Sequence, residues 1–452
     1  MSKIVTRDMF TEPFDINTIS TAKKWRWGTL VPRMGGGAIG CFQATGTKPL
    51  FNLSWDGFYD IDVGLVNYWP DVPYYVIDKG ELPPKEDFEN IDFVMTVCPC
   101  GGLSTQNTAQ NENRGVDAPK NNWMYKSAEF VLEHIKPTVY FGENAQALFT
   151  ERGKKVTAKL YQIAKKYGYS FSLYKTDLLH HRMPQHRVRC FYFFWKTETA
   201  PIMDWVNDPW KKTLTEFLDT VPEDATMQDV YLYKDKPSVH FKPYQFLLEK
   251  TGLTHSECVK KYDKQSVSKI IWNNGWMDEC IEWLDKNWPE ASMSEVDWAQ
   301  TYSDMFRKYK KKLEAGRGIF DRSPYFSWNR FKCVIRRNIR QFVHPTKERY
   351  LNMREYMTLL GFPFDYQPTF IKAFPNSLEN FQRLTKGVVS NVSRDCCLNV
   401  MKHILGMLPM SEYYFIKQNN LNCKSTAEKD EDYDLALFEN VKCSMEKDSD
   451  EE

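Results

Sequence analysis

The stretch IDFVMTVCPCGGLS, residues 91–104, decides the architecture. Its first seven residues form a short, β-rich apolar run that ends at Val97 and is bounded by Pro and Gly, the pattern of a buried strand. Downstream of this run the pattern repeats. Met124, Ala128, Val131 and Ile135 recur at helical spacing until Pro137 stops the helix. TVYF, residues 138–141, is a second strand. Val156, Leu160, Ile163 and Ala164 mark another amphipathic helix closed by Gly168, and YSFSLY from Tyr169 and RCFYFFW at 189–195 read as further strands. Strands and helices laid down in turn specify an α/β protein. In such sheets ligands gather in the loops beyond the carboxyl ends of the strands. The loops CPCGGLS (98–104), GENAQAL (142–148) and HHRMPQHRVR (180–189) qualify, and each is rich in functional side chains.

The bulk properties bound the rest. A chain of 452 residues, 42% hydrophobic and 26% charged, has room for a large core and an appended module. No segment approaches the roughly 20 apolar residues of a bilayer span, and the N-terminus has no charged-then-apolar leader. The expectation is a protein with no membrane partner that stays where it is made: cytoplasmic or nucleoid-associated in a prokaryote or virus, nuclear in a eukaryote. Its 11 cysteines, odd in number and irregularly spaced, suit a reducing compartment. Ser425 to Glu452 carry 11 acids against 3 lysines, so the rest of the chain stands at +9 against a whole-chain net charge of +1. That body is able to attract a polyanion, or to spread its charge over a large surface.

From about Ala200 to Val343 the regular alternation fades into a Trp- and Lys-rich region, read as a separate module. It holds Trp205, Trp210, Trp272 and Trp276 and the basic stretches Lys308–Lys312 and Arg336–Arg340. These suit tracking of a nucleic-acid backbone, or serve as solvated helix faces and core tryptophans. Helical patterning returns at Tyr350–Leu360 and Cys396–Ile404, and the acidic tail at 413–452 reads as disordered.

Each chemistry-bearing loop has a bland alternative. Cys100 sits on a glycine-rich turn directly after a strand, where a thiol is accessible, although an exposed cysteine in a turn is often incidental. Cys98 and Cys100 have CxC spacing with no accompanying His or Cys cluster, so no metal site is expected. Glu143 follows a strand that should lie beside the first, and it also fits a helix N-terminal acid. Gln185, Arg187 and Arg189 alternate onto one face, suited to phosphate or base-carbonyl contacts or to a solvated basic edge.

Taken together and in order, these loops resemble blocks of the DNA cytosine-5 methyltransferase family. PCGGLS resembles its Pro-Cys nucleophile loop, Glu143-Asn144-Ala145 its Glu-Asn block, and Gln185-His186-Arg187-Val188-Arg189 its Gln-x-Arg-x-Arg loop. Arg349-Tyr350-Leu351-Asn352-Met353-Arg354-Glu355, continuing to Leu360-Gly361-Phe362-Pro363, resembles the block that positions a recognition module. Ser390-Asn391-Val392-Ser393 resembles the segment that closes over the cofactor. The resemblance spans about Val31 to Leu405. It implies a doubly wound, Rossmann-like methyltransferase sheet with a separate target-recognition module. The domains would be 1–199 completed by 374–412, a recognition region at 200–373, and the tail.

The same resemblance implies methyl transfer from S-adenosylmethionine to carbon 5 of a flipped-out cytosine in double-stranded DNA, by a monomer. Cys100 would be the covalent nucleophile and Glu143 the acid at ring nitrogen 3. Arg189 would face the ring carbonyl, with Arg187 orienting Glu143 or a phosphate. Ser104, Asn144 and Gln185 would support the substrate. Gly35, Gly36 and Gly37 resemble the glycine-rich cofactor loop, joined by Pro99, Asn391, Asp56 for the ribose and Asp78 for the adenine amino group. Departures fall mostly on the cofactor side: Val31 replaces the loop's usual Phe, Cys98 a Pro, Ala145 a Val and Ser390 a Gly. A tRNA cytosine-5 methyltransferase, or a DNA-binding relative without catalysis, are the alternatives.

Overall fold

The computed structural model describes residues 24–104, 115–200, 212–222, 242–287, 293–319, 323–329, 342–349 and 351–366, and positions 397, 398, 400, 401 and 404. Seven strands form one sheet: β1 (Trp27–Leu30), β2 (Asn52–Ser54), β3 (Tyr74–Val76), β4 (Phe93–Thr96), β5 (Val139–Ala145), β6 (Ser170–Asp177) and β7 (Val188–Trp195). Their order is β3-β2-β1-β4-β5-β7-β6. The first five are parallel, and β7 runs antiparallel between β5 and β6. The chain therefore winds outward from β1 in one direction and resumes at β4 in the other. That reversal leaves a crevice between the carboxyl ends of β1 and β4, where ligands of such sheets bind.

Both faces are covered, which is why the strands read as continuous apolar runs rather than alternating ones. Helices α1 (Gly36–Thr45) and α2 (Tyr59–Tyr68) bury Ile39, Cys41 and Leu65 against Trp27, Phe93, Phe141 and Phe193 on one face. The short α3 (Lys85–Phe88), α4 (Asn122–Phe130) and α5 (Lys154–Lys166) cover the other, over Val94, Tyr140, Tyr192 and Phe194. Aromatic contacts cross the first face from strand to strand. Trp27 stacks on Phe93 at 5.1 Å and Phe141 on Phe193 at 5.7 Å between ring centroids. Facing rings of this kind pin the register.

Register corrects one expectation about the site. The sequence reading ends the second strand at Phe141 and makes a loop of 142–148. In the structure β5 continues to Ala145, because antiparallel β7 pairs Glu143 with Phe191, Asn144 with Cys190 and Ala145 with Arg189. Glu143 is thereby fixed by a ladder and not by a loop.

A separate cluster lies in the Trp-rich region. Helices at Lys242–Thr251, His255–Lys261, Val267–Asn273 and Met277–Lys286 bury Tyr244, Leu247, Val259, Ile270 and Leu284 with Phe306, Phe326 and Val343. Trp272 and Trp276 are half-buried against it, which gives them a packing role. Lys310 of the basic run is held by Asp278 at 2.6 Å and Glu314 at 3.7 Å. Leu351, Tyr356, Met357 and Tyr366, which the sequence reading groups with the recognition region, pack instead into the sheet's own core, together with Leu398, Val400 and Met401. Trp205, Trp210, the 336–340 stretch and the tail at 413–452 lie outside the described residues. No described helix is long and apolar enough to cross a membrane.

Candidate active site

The crevice is built first by the loop that leaves β1. Gly35 takes φ 85°, a left-handed conformation that side chains resist, and a Cβ there would lie 2.4 Å from Leu65 Cδ1. The chain thus passes close over α2 and enters α1 at Gly36, with Gly37 in its first turn. α1 has no side-chain cap and no acid in that turn. Tyr366 Oη donates to the Met34 carbonyl at 2.8 Å and holds the loop from the side of residues 351–366.

Arg33 and Asp62 went unread in the sequence. Arg33 has φ 58° and is 5% exposed. Its amide donates to Asp62 Oδ1 at 3.0 Å, its Nε donates to the Val97 carbonyl at 3.1 Å, and its guanidinium carbon lies 4.8 Å from the Phe58 ring centroid. Asp62 also accepts from Ser54 Oγ at 2.6 Å and Tyr74 Oη at 3.0 Å. Burial raises its carboxyl to about 6, against the pull of Ser54 and Arg33. Burial likewise pulls the Arg33 guanidinium below its ordinary value, opposed by Asp62 and then by Cys98, Cys100 and Glu143. A cation two residues ahead of a helix N-cap has no periodic signature. Only the crossing of loop and strand reveals its place.

The nucleophile loop follows β4. Cys98 is buried, with Thr96 Oγ1 at 3.4 Å and α4 groups, the Trp123 carbonyl and Ser127 Oγ, each at 3.6 Å. Burial pushes its thiol up. Cys100, past Pro99, is only half-buried. Its carbonyl accepts from Leu103 at 3.2 Å and Ser104 at 2.9 Å, closing a turn. A Cβ on Gly102 would meet Asn121 Oδ1 at 2.5 Å, and Asn121 donates to the Gly115 and Val116 carbonyls at 2.9 and 2.8 Å. The glycines therefore let the turn lie flat against 115–121 while Cys100 stays half-buried.

Beside it, β5 pairs with β4, Thr96 opposite Gly142. One residue on, Glu143 is buried, and Arg189 Nε lies 2.7 Å from its Oε1. The pairing register explains the contact, since Arg189 stands opposite Ala145 and so reaches Glu143 diagonally on the same face. Arg189, which the sequence reading faces toward the ring carbonyl, thus lies next to Glu143. Arg187 is buried, its amide donating to Asp177 Oδ1 at 2.9 Å. Burial raises the Glu143 carboxyl, opposed by Arg189, Arg187 and Arg33 in that order. Asn144 donates to Met124 Sδ at 3.1 Å and accepts from Ala145 at 2.9 Å. Gln185 donates to the Leu359 carbonyl, tying its loop to residues 353–359.

A buried acid whose folded pKa lies above its unfolded value favours the fold at acid pH, and that contribution is lost as pH rises through the window between the two. Arg189→Gln removes the charge that most opposes the rise at Glu143, so the window should extend upward from the ordinary 4.5. Each further unit costs about 1.4 kcal/mol at neutral pH. Urea unfolding of both proteins at several pH values measures this; parallel pH dependences would contradict it.

On the far side of the crevice, Asp56 follows β2 and is exposed, with Lys79 Nζ at 3.1 Å from Oδ1. Its amide donates to Asp78 Oδ1 at 2.8 Å, so the two acids meet at the ends of β2 and β3. Trp55, also unread, is half-buried beside them, its indole donating to Ser127 Oγ at 3.2 Å. Cys100, Glu143 and Arg189 stand at neighbouring strand ends, and the glycine loop, Asp56 and Asp78 follow β1, β2 and β3 on the same edge of the sheet. Asn391 lies outside the described residues, and among those residues no group of His, Cys, Asp and Glu is arranged to hold a metal.

The fold is shared with solved methyltransferases. A DNA modification methyltransferase encoded within an Escherichia coli prophage superposes with a TM-score of 0.51 at 14% identity, over 85% of this chain and 99% of its own. The Entamoeba histolytica methyltransferase EhMeth superposes at 0.50 and 10% identity, over 85% and 98%. In sequence, the Type II methyltransferase M.AgeI of Thalassovita gelatinovora is 31% identical over 116 residues, 26% of this chain; the chain spans only 24% of that relative's length. The C-5 cytosine-specific DNA methylase family matches residues 35–400, most of the molecule including the glycine loop, Cys100, Glu143 and Arg189, and the chain belongs to that family.

Proposed function

We propose that this protein transfers a methyl group from S-adenosylmethionine to carbon 5 of cytosine in double-stranded DNA through a covalent Cys100 adduct. The observation that carries this reading is the half-buried Cys100 on its flat turn, one strand away from the buried Glu143–Arg189 pair. Carbon 5 of cytosine is a weak nucleophile, and addition of the Cys100 sulfur to carbon 6 raises its electron density. Glu143, kept protonated to higher pH by burial, donates to ring nitrogen 3 as charge develops there. Arg189 orients Glu143, and Arg187 adds positive potential behind it. Once carbon 5 has taken up the methyl group, loss of its proton to water expels the Cys100 sulfur, and ring nitrogen 3 returns its proton to Glu143.

The crevice fits the cofactor. Gly35, Gly36 and Gly37 bring backbone to within reach of its amino-acid portion at the N-terminus of α1, and Asp56 with Asp78 offers carboxylates to ribose and adenine. Asp56 is exposed and its ion pair with Lys79 is weak enough to yield. S-adenosylmethionine supplies, when bound, an electrophilic methyl group on its sulfonium. The target base must leave the duplex to reach Cys100, at a cost of a few kcal/mol. We assign the repayment of that cost to the Trp- and Lys-rich region from Ala200 to Val343, with the catalytic domain at 1–199 completed by residues 351–366, which pack into its core, and by 374–412.

Incubation with tritiated S-adenosylmethionine and either duplex DNA or tRNA, followed by mass spectrometry of the nucleosides, tests the proposal. The expected product is 5-methyl-2′-deoxycytidine. Label confined to tRNA would replace the DNA reading by the tRNA one, and label in neither would overturn both.

A further inference from the structure

We propose that Arg33 is a cofactor-specificity residue, whose guanidinium receives the α-carboxylate of the amino-acid portion of S-adenosylmethionine. The inference rests on the cofactor reading and adds to it a charged side chain. The family resemblance assigns only glycines to this loop.

Three observations support it. First, Arg33 is 5% exposed, yet only Nε among its side-chain nitrogens is hydrogen-bonded within the described residues, to the Val97 carbonyl at 3.1 Å. The terminal nitrogens are thereby left to meet an anion. Second, the side chain is anchored at both ends. Asp62 holds its amide at 3.0 Å in a left-handed backbone conformation, and the Phe58 ring supports the guanidinium at 4.8 Å. An arginine held this way presents a rigid fork that matches a carboxylate. Third, it stands two residues ahead of the N-cap of α1, a ten-residue helix with no side-chain cap and no acid in its first turn. The positive end of that helix and the guanidinium favour the same kind of ligand. Asp62 is the acid nearest in the hydrogen-bond network, and its oxygens already accept from the Arg33 amide, Ser54 and Tyr74.

Of the cofactor's groups only the α-carboxylate is anionic; the sulfonium and ammonium would be repelled. The test is isothermal calorimetry of the full-length protein with S-adenosylhomocysteine and with its decarboxylated analogue. The wild-type protein should bind the carboxylated compound at least about tenfold more tightly, the equivalent of roughly 1.4 kcal/mol. Arg33→Met should shrink that preference to below about threefold by weakening the carboxylated compound alone, and Arg33→Lys should fall between. Equal affinity of the wild-type protein for the two compounds would overturn the proposal without recourse to any variant. A variant that weakens both equally would reduce Arg33 to a structural part and overturn it too. If neither compound binds the wild-type protein, the cofactor reading itself fails; if both bind with no preference, that reading stands and only the role of Arg33 is lost.

Discussion

Replacement of Cys100 by Ser should abolish methyl transfer, with a fall on the order of 10⁴-fold or more, since the variant loses the covalent route and retains only binding and positioning. A fall of that size corresponds to about 5.4 kcal/mol of transition-state stabilisation. The serine oxygen is nearly isosteric but far harder to ionise, so the turn closed by Leu103 and Ser104 should persist. A second measurement isolates the bond itself. Duplex DNA bearing 5-fluorocytosine cannot lose its carbon 5 substituent as a cation, so the adduct with sulfur should survive denaturing electrophoresis in the wild-type protein and be absent in Cys100→Ser. Cys98→Ser is the internal control. Cys98 is buried beneath α4 and its thiol is pushed up by burial, so that variant should still form the trapped complex. Trapping that depends on Cys98 and not on Cys100 would refute the assignment.

Glu143→Gln should lower the rate by about 10²–10⁴-fold, the usual range for a positioned acid. Gln keeps the shape and a hydrogen-bond donor but has no proton to share, and it leaves the Arg189 guanidinium 2.7 Å away without its charged partner. The pH profile carries the sharper prediction. Because burial raises the Glu143 pKa, its protonated form persists to higher pH than that of an ordinary glutamate, and the rate should decline as pH rises through that raised value. In Glu143→Gln this declining limb should vanish while any limb belonging to the thiol remains. Single-turnover methyl transfer across pH measures both, and an unchanged limb in the variant would remove Glu143 from the acid role.

The α/β alternation and the turn at Cys100 were legible from the amino-acid order alone, because both are written in contiguous residues. Strands buried on both faces must be apolar throughout, amphipathic helices must repeat at 3.6 residues, and a turn pressed flat against its neighbours needs glycine. The candidate nucleophile could be found for that reason. Other parts depended on distance in space. That Arg189 meets Glu143 depends on the antiparallel register of β7 on β5, and a shift of one residue would turn Arg189 to the other face. Residues 351–366 join the sheet's core through Tyr356, Met357 and the Tyr366 bond to Met34, contacts more than 300 residues apart in the last case. Arg33 and Asp62 are invisible to any periodic reading. Each becomes a buried, anchored group only when the loop after β1 is folded across the end of β4 and against α2, where desolvation gives a single charge its importance.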